Sequence, residues 1–438
     1  MLFSQYLKKV GKFSTKRIFD YEIKKYAPIN FNSDEEIYIL FDFSCGRFYT
    51  HHSSYLKDYS DFLIANKKQT FIWVNTSADN EVLDVFSGNA KAILRSNLYS
   101  HTSKDNLKLF FIDYIVNLSE RFKISRLAKF IFEPYYLGSG IKEFKNHLQK
   151  QMPIKIVAPT LDGLGLRFIV KIMNRYHSKI SLVSIRVTGA ESRSIFGVSN
   201  SLEVLKKLSQ KYPNKINLGF EVKALETNMK KANIPTKNIF WAPMPHILRS
   251  ADIIAREPFR IPSEIRLGFL GSGRPNKGFD RIPDILDELK NKKISFKAFI
   301  QLPKFRWNDF ETTLNYLNDH HSKSVIFIQS GTSKLDLDKA IRDVDLIVLP
   351  YRLENYKVAG SGILFLACDF RIPIAATKDL AFSWDIEQYQ IGFSFIDTIE
   401  FTNKINELDT WALKTKIDIY NESRNQANID FLRIRKFG

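Results

Sequence analysis

From Glu36 onward the chain alternates short apolar runs with longer stretches in which apolar positions recur every three or four residues. Ile37 to Phe43, Thr70 to Val74, Ile154 to Ala158 and Ile180 to Val187 are of strand length and nearly continuous in apolar character, which predicts strands buried on both faces. Ser53 to Asn66, Leu107 to Leu118, Ile124 to Phe132 and Leu164 to Tyr176 carry the helical period, and Phe240 to Pro243 closes this half. The second half repeats the alternation. Strands are expected at Ile265 to Leu270, Phe296 to Ile300, Val325 to Gln329, Leu346 to Leu349 and Ile372 to Ala376. Helices are expected at Asp280 to Lys290, Trp307 to Asn318, Asp336 to Asp343 and Gly362 to Phe370. Parallel strands need crossover connections, so this order predicts an α/β chain with helices on both faces of two doubly wound, Rossmann-like sheets.

Prolines mark the joint between the halves. Pro243 and Pro245, followed by Pro258 and Pro262, stop helices and break sheet ladders, which puts a linker here and a boundary at residue 250. The expected domains are then a basic segment 1–30, a first domain 31–249, a second domain 250–400, and terminal helices 401–438 that fold back on the first domain. In the basic segment Leu2, Phe3, Tyr6, Leu7, Val10 and Phe13 recur near helical spacing among Lys8, Lys9, Lys12, Lys16 and Arg17. That pattern suits a membrane-surface anchor or a helix docked on its own domain with its lysines in solvent.

Composition narrows the class. Hydrophobic residues at 44% and charged residues at 26% are ordinary globular values, and 438 residues are too many for one core. Cys45 and Cys368, far apart in sequence, make neither a disulfide framework nor a metal-binding spacing, which fits a reducing compartment. No run approaches the ~18 apolar residues of a membrane span, so a cytoplasmic protein, or one peripheral to the inner face of a membrane, is expected. The net charge of +18 draws anionic partners: nucleic acid, lipid headgroups or phosphorylated small molecules. The cations are spread along the chain and no nucleic-acid motif accompanies them, so nucleic acid is not the expected partner.

Two loops carry candidate chemistry. After the run ending at Leu270 stand Gly271, Ser272, Gly273, Arg274, Asn276, Lys277 and Gly278, followed by a helix pattern. A glycine loop at a helix N-terminus, with two cations, suits a phosphate or diphosphate. The order Lys277-Gly278 is not a Walker loop, and Asn276 stands where a dinucleotide fingerprint needs its third glycine. After Tyr351 a second loop leads to Gly360, Ser361 and Gly362 at another expected helix start, a second place for phosphate oxygens.

Together, Phe269 to Phe279 and Asp345 to Thr377 resemble the donor domain of glycosyltransferase family 4, whose members have the GT-B fold of two Rossmann-like domains facing across a cleft. The resemblance covers residues 264–400. It implies that Arg274 and Lys277 bind the diphosphate of a nucleotide-sugar with Gly271, Ser272 and Gly273, and that Gly360, Ser361 and Gly362 contact phosphates or sugar. The chain departs from the family at two places. Ser272 stands where the family's loop arginine is usual, and the paired glutamates would fall at Val358 and Leu366, neither acidic. Glu354, four residues before the first of these, is the substitute offered for the donor ribose or sugar, with Tyr351 beside it.

In the first half a general base for an acceptor hydroxyl would be a histidine or carboxylate at a strand end. His51, His52 and Asp162 are the candidates, Arg47, Arg186 and Arg193 are candidates for an anionic acceptor, and His246 at the linker is assigned a structural role. The expected activity is transfer of a sugar from a nucleotide-sugar to a glycan or lipid-linked acceptor in surface polysaccharide assembly, without cofactor or metal, since fixed cations and dipoles can neutralise the leaving group. The alternatives are a catalytically idle GT-B-like subunit, suggested by the missing glutamates, and a basic nucleic-acid binder.

Overall fold

The computed structural model describes residues 36–43, 51–75, 90–94, 140–148, 152–161, 163–187, 201–246, 263–271, 273–303, 309–329 and 334–434, with a few isolated positions between them. The basic segment 1–30 and the expected helices 107–118 and 124–132 lie outside the described residues. In chain order the first half contains β1 (Ile37–Phe41), α1 (His51–Ala65), β2 (Gln69–Asn75), β3 (Ala90–Leu94), β4 (Ile154–Ala158), α2 (Gly163–Tyr176), β5 (Ile180–Val187), α3 (Ser201–Lys211), β6 (Ile216–Phe220), α4 (Lys223–Lys231) and β7 (Ile239–Trp241). The second contains β8 (Ile265–Phe269), α5 (Ile282–Asn291), β9 (Phe296–Gln301), α6 (Phe310–His321), β10 (Val325–Ile328), α7 (Lys334–Arg342), β11 (Leu346–Leu349), α8 (Leu353–Tyr356), α9 (Gly362–Asp369), β12 (Ile374–Thr377), α10 (Ser383–Tyr389), β13 (Gly392–Phe395), α11 (Thr398–Asn406) and α12 (Thr410–Leu432).

The strands form two sheets, ordered β3-β2-β1-β4-β5-β6-β7 and β10-β9-β8-β11-β12-β13. Every neighbouring pair in the second sheet is parallel. So are the pairs from β3 to β5 in the first. Each order reverses direction once, between β1 and β4 and between β8 and β11, and those reversals are where doubly wound sheets hold ligands. By contacts the chain divides into one unit of residues 1–219 with 229–240 and another of 220–228 with 241–438.

Local sequence explains most of the elements. α5 buries Ile282, Ile285, Leu286 and Leu289, a three-four spacing that lays one stripe on the second sheet. β9 alternates buried Phe296, Ala298 and Ile300 with half-buried partners, and β11 is buried at all four positions. Arg266 and Asp345 fix the start of that sheet: the guanidinium holds the carboxylate at 2.6 and 3.0 Å, and the Arg266 N–H adds a bond of 2.9 Å.

Several elements differ from the sequence reading. β3, β6, β13, α3, α4 and α10 were not expected. Asn217 and Gly219 interrupt the apolar run of β6, and Lys91 interrupts β3, so neither shows a continuous strand signature. Regular helix after the glycine loop starts only at Ile282, because two short 3₁₀ turns, Pro275–Lys277 and Phe279–Arg281, come first.

α12 packs against α9 and α10 of its own unit. Arg424 on α12 is fully buried, and its guanidinium makes bonds of 2.9 Å to Asp369, 2.8 Å to Asn421 and 2.8 Å to the Met244 carbonyl. His246 takes the same Asp369 oxygen at 2.9 Å, and its N–H donates to Asn425 at 2.8 Å. The structural role assigned to His246 matches this placement, since its ring and backbone both tie residues 243–246 to α9 and α12. Asp385 on α10 is 2% exposed, and burial pushes its carboxyl up to about 8 against the opposing pull of Arg424 and Tyr420.

Two expectations follow. Arg424→Met leaves Asp369 buried without its main counter-charge and should cost about 3–5 kcal/mol in urea unfolding, while the double change with Asp369→Leu should cost less than the sum; a single-variant cost below about 1 kcal/mol would remove the network from this role. The unfolded Asp385 carboxyl titrates near ~4, so between there and about 8 the folded chain holds one proton more than the unfolded one. Its raised pKa therefore makes stability fall as pH rises through that window, by about 1.4 kcal/mol per pH unit from this group. Asp385→Asn should flatten the slope measured between pH 5 and 8, and an unchanged slope would contradict the assignment.

Candidate functional site

The loops after β8 and β11 meet at the reversal of the second sheet. Gly278 is the joint: its φ of +70° is a left-handed conformation, and a β-carbon there would collide with the Pro350 carbonyl. Arg352 fastens the joint by donating its N–H to the Asn276 carbonyl and its Nε to the Pro275 carbonyl, each at 3.1 Å, and by pairing with Asp280. The β8 loop also leans on β9. Gly271 N–H donates to the Gln301 side chain at 2.7 Å, and Gly273 N–H donates to the Gln301 carbonyl at 3.0 Å. The expected phosphate cradle of loop amides thus has two of its members engaged inside the protein.

What remains is a small hollow lined by Leu270, Gly271, Gly273, Lys277, Pro350 and Tyr351, among others. Lys277 donates to the Gly271 carbonyl and lies 5.5 Å from the centre of the Tyr351 ring. Burial lowers its pKa to about 8, with the nearby Arg274 adding to the effect. Arg274 itself is exposed, the outer cation of the pair. Tyr351 is 2% exposed, held by Tyr356 and Phe382 at ring separations of 4.5 and 5.9 Å. Burial drives its phenol well above the ordinary range, with Tyr356 adding and the Ser361 hydroxyl opposing. The Tyr351 and Ser361 hydroxyls are paired with each other, and among the described residues neither has a second partner. Ser361, 4% exposed, stands at the N-cap of α9 without capping it.

Gly271, Gly273, Lys277, Tyr351 and Ser361 are therefore brought together, with Arg274 at the rim. Gly362 is exposed as the first residue of α9, and Glu354 is exposed on α8. Ser272, Arg47, Asp162 and Arg193 lie outside the described residues, and His51 and His52 open α1 with side chains also outside them. In the first unit Arg186 is fully buried at the end of β5, stacked on Tyr55 at 4.5 Å and donating to the Pro159 carbonyl at 3.1 Å. Near it Thr160 donates to Asp42 at the end of β1.

Sequence reasoning missed three residues here. Gln301 and Arg352 hold the loops, and nothing in a lone Gln or Arg marks such a role. Glu221, just past β6 in the stretch that belongs by contact to the second unit, brings its carboxylate against Gly360, where a β-carbon would collide with it. It went unnoticed because β6 itself was not expected. Among the described residues no group of three or more His, Cys, Asp or Glu is placed to hold a metal ion, and no helix is long and apolar enough to cross a membrane.

No protein-family model and no curated protein sequence matches the chain. Solved structures do match it in fold. A glycosyltransferase from Rickettsia africae is 10% identical with a TM-score of 0.58, over 93% of this chain and 100% of that one. HepE of Anabaena, solved with UDP and glucose, is 12% identical with a TM-score of 0.53 over 91% and 97%. The lipopolysaccharide outer core galactosyltransferase WaaB is 12% identical with a TM-score of 0.50 over 90% and 99%. With its two parallel, doubly wound sheets and these likenesses over nearly its whole length, the chain has the GT-B fold.

Proposed function

We propose that this protein is a glycosyltransferase that takes a sugar from a nucleotide-diphosphate donor seated at the reversal of the second sheet. The observation that carries the reading is the corner itself: one desolvated ammonium, one exposed guanidinium and the buried hydroxyls of Tyr351 and Ser361 at the carboxyl end of β8 and β11. Such a corner offers positive charge and hydrogen-bond donors together, which a leaving diphosphate needs as its charge develops. The fold supports the reading, and HepE, which shares that fold, was solved with UDP and glucose.

In this mechanism Lys277 and Arg274 neutralise the diphosphate. Lys277 can turn from the Gly271 carbonyl to a phosphate oxygen, and Tyr351 and Ser361 donate to the donor's oxygens. Because Gly271 and Gly273 have given their N–H groups to Gln301, the two cations bear more of the charge than the glycine loop does. His51, His52 or Asp162 is the proposed base for the acceptor hydroxyl, and Arg47 and Arg193 are proposed contacts for an anionic acceptor. Glu354 is kept as a candidate for the ribose. A glycan or lipid-linked acceptor at the cytoplasmic face of a membrane suits the net charge of +18.

The test is titration calorimetry with UDP, GDP and CMP. One of them should bind, and Lys277→Met should weaken it about tenfold to a hundredfold, the range for a charge-assisted bond. The free protein loses the Lys277 proton as pH rises through about 8, so wild-type affinity should fall across that value and the variant's should not. Binding of none of the three, or equal binding by Lys277→Met, would refute the donor site; binding without transfer of any sugar would favour an idle GT-B-like subunit.

A further inference from the structure

The second sheet has two edge strands, β10 and β13, and the chain finishes them differently. On β13 the Ile391 and Phe395 carbonyls accept from the N–H groups of Ile374 and Lys378 at 3.2 and 2.8 Å, so by alternation Ser394 faces away from the sheet. Its carbonyl is capped by the Lys404 ammonium at 2.8 Å, which also pairs with Glu400 at 2.7 Å. A lysine on an exposed edge guards it against strand addition. β10 has no such guard, for Val325-Ile-Phe-Ile328 carries no charge, proline or glycine. The Ser324 carbonyl accepts from Ala298 at 2.7 Å and the Ile328 carbonyl from Leu302 at 2.8 Å, in an unbroken register with β9. Alternation then turns the N–H and C=O of Val325 and Phe327 outward, and among the described residues none of these groups has a partner. The Val325 and Phe327 side chains pack against the core that includes the α5 stripe, which puts Ile326 on the opposite face, 40% exposed.

An edge of this kind is completed by an extended strand with matching outward groups. β10 itself has that form. Turned about a two-fold axis at Ile326, a second β10 runs antiparallel to the first and sets each Val325 opposite the other copy's Phe327, where opposed residues exchange both N–H···O bonds. Ile326 then meets Ile326 in the intervening non-hydrogen-bonded position, where side chains on one face come closest. The exposed apolar residue is covered by its own counterpart. Lys323 falls opposite Gln329, so a chain of net charge +18 brings no two cations face to face along the seam. A foreign strand could supply the backbone groups, but the apolar residue opposite Ile326 and the uncharged flank opposite Lys323 are already present in this chain, and a self-complementary patch is what a two-fold dimer requires. We infer that two copies of this chain associate through β10, joining their second sheets edge to edge around Ile326.

Sedimentation velocity over a dilution series of the full chain reads the association, and engineered cysteines read the register. The wild type should sediment as a reversible dimer. Ile326→Asp sets two carboxylates opposite each other and removes the apolar contact, so it should weaken the dimer about tenfold. Circular dichroism and the melting temperature of the dilute protein should stay unchanged, because Ile326 is on the surface. In the antiparallel pair the Ile326 Cα atoms are ~4.5 Å apart, within the ~4.4–6.8 Å that a disulfide spans. Both native cysteines are buried, so oxidation of Ile326→Cys by diamide should give a disulfide-linked dimer that the wild type does not form. Ile396→Cys, beyond the guarded edge and 67% exposed, controls for chance collision and should crosslink far more slowly. A wild type that stays monomeric at the highest concentration overturns the inference. So does a dimer indifferent to Ile326→Asp, or Ile326→Cys crosslinking no faster than Ile396→Cys, since either places the interface elsewhere.

Discussion

Two loops that leave adjacent parallel strands must be joined without filling the space between them, and the contact of Gly278 with the Pro350 carbonyl does this. The approach is closer than any side chain allows, and it requires the left-handed backbone that glycine adopts most readily. Arg352 then closes the seam from the other side, donating to the Asn276 carbonyl and adding a second bond to the Pro275 carbonyl, which already accepts the Gly278 N–H. Lys277 lies one residue before the joint, so its position follows from the seam. Its stem cannot move away from Tyr351 unless the two loops part. The cation is thus placed by backbone packing, and its own single bond to Gly271 does not have to hold it.

The buried charges of the second unit fall into two kinds. Arg424 has acceptors around its guanidinium and a carboxylate at 2.9 Å, a satisfied network that fixes one arrangement of α9, α12 and residues 243–246. Lys277 has a carbonyl and a ring face and, among the described residues, no carboxylate partner, and burial lowers its pKa. A well-satisfied ion contributes to specifying the fold, whereas an under-satisfied one is better used by a ligand that brings the missing charge. Both act on α9. Asp369 at its carboxyl end is anchored to Arg424, and Ser361 at its amino end pairs with Tyr351, which lines the hollow. The helix is therefore held most firmly at the end away from the hollow.

Much of this was legible in the sequence because parallel sheets buried on both faces write themselves as continuous apolar runs. Leu346 to Leu349 and Ile154 to Ala158 could be placed to the residue, and β8, with the glycine loop behind it, located the corner. Elements whose strength comes from their neighbours were not legible. β6 has only five residues, two of them Asn217 and Gly219, and forms because β5 offers it an edge. The same gap hid Glu221, since a carboxylate becomes a candidate only once the strand before it is known. The loop amides went the other way. Glycines imply close backbone approach, but the sequence does not say what approaches, and for Gly271 and Gly273 it is Gln301 of the next strand.

The net charge of +18 and the two cations of the corner act at different ranges. Exposed lysines and arginines raise the local concentration of any anion, but salt screens them beyond about 8 Å at physiological ionic strength. They do not distinguish a nucleotide from a lipid headgroup. Lys277 is desolvated, so its field is weakly screened and its protonation is coupled to what binds. A dianionic leaving group would stabilise the ammonium against the burial that now lowers its pKa. Under the proposed function the cost of keeping Lys277 buried would be offset by the donor, most fully as the bond to the sugar breaks and negative charge on the diphosphate is greatest.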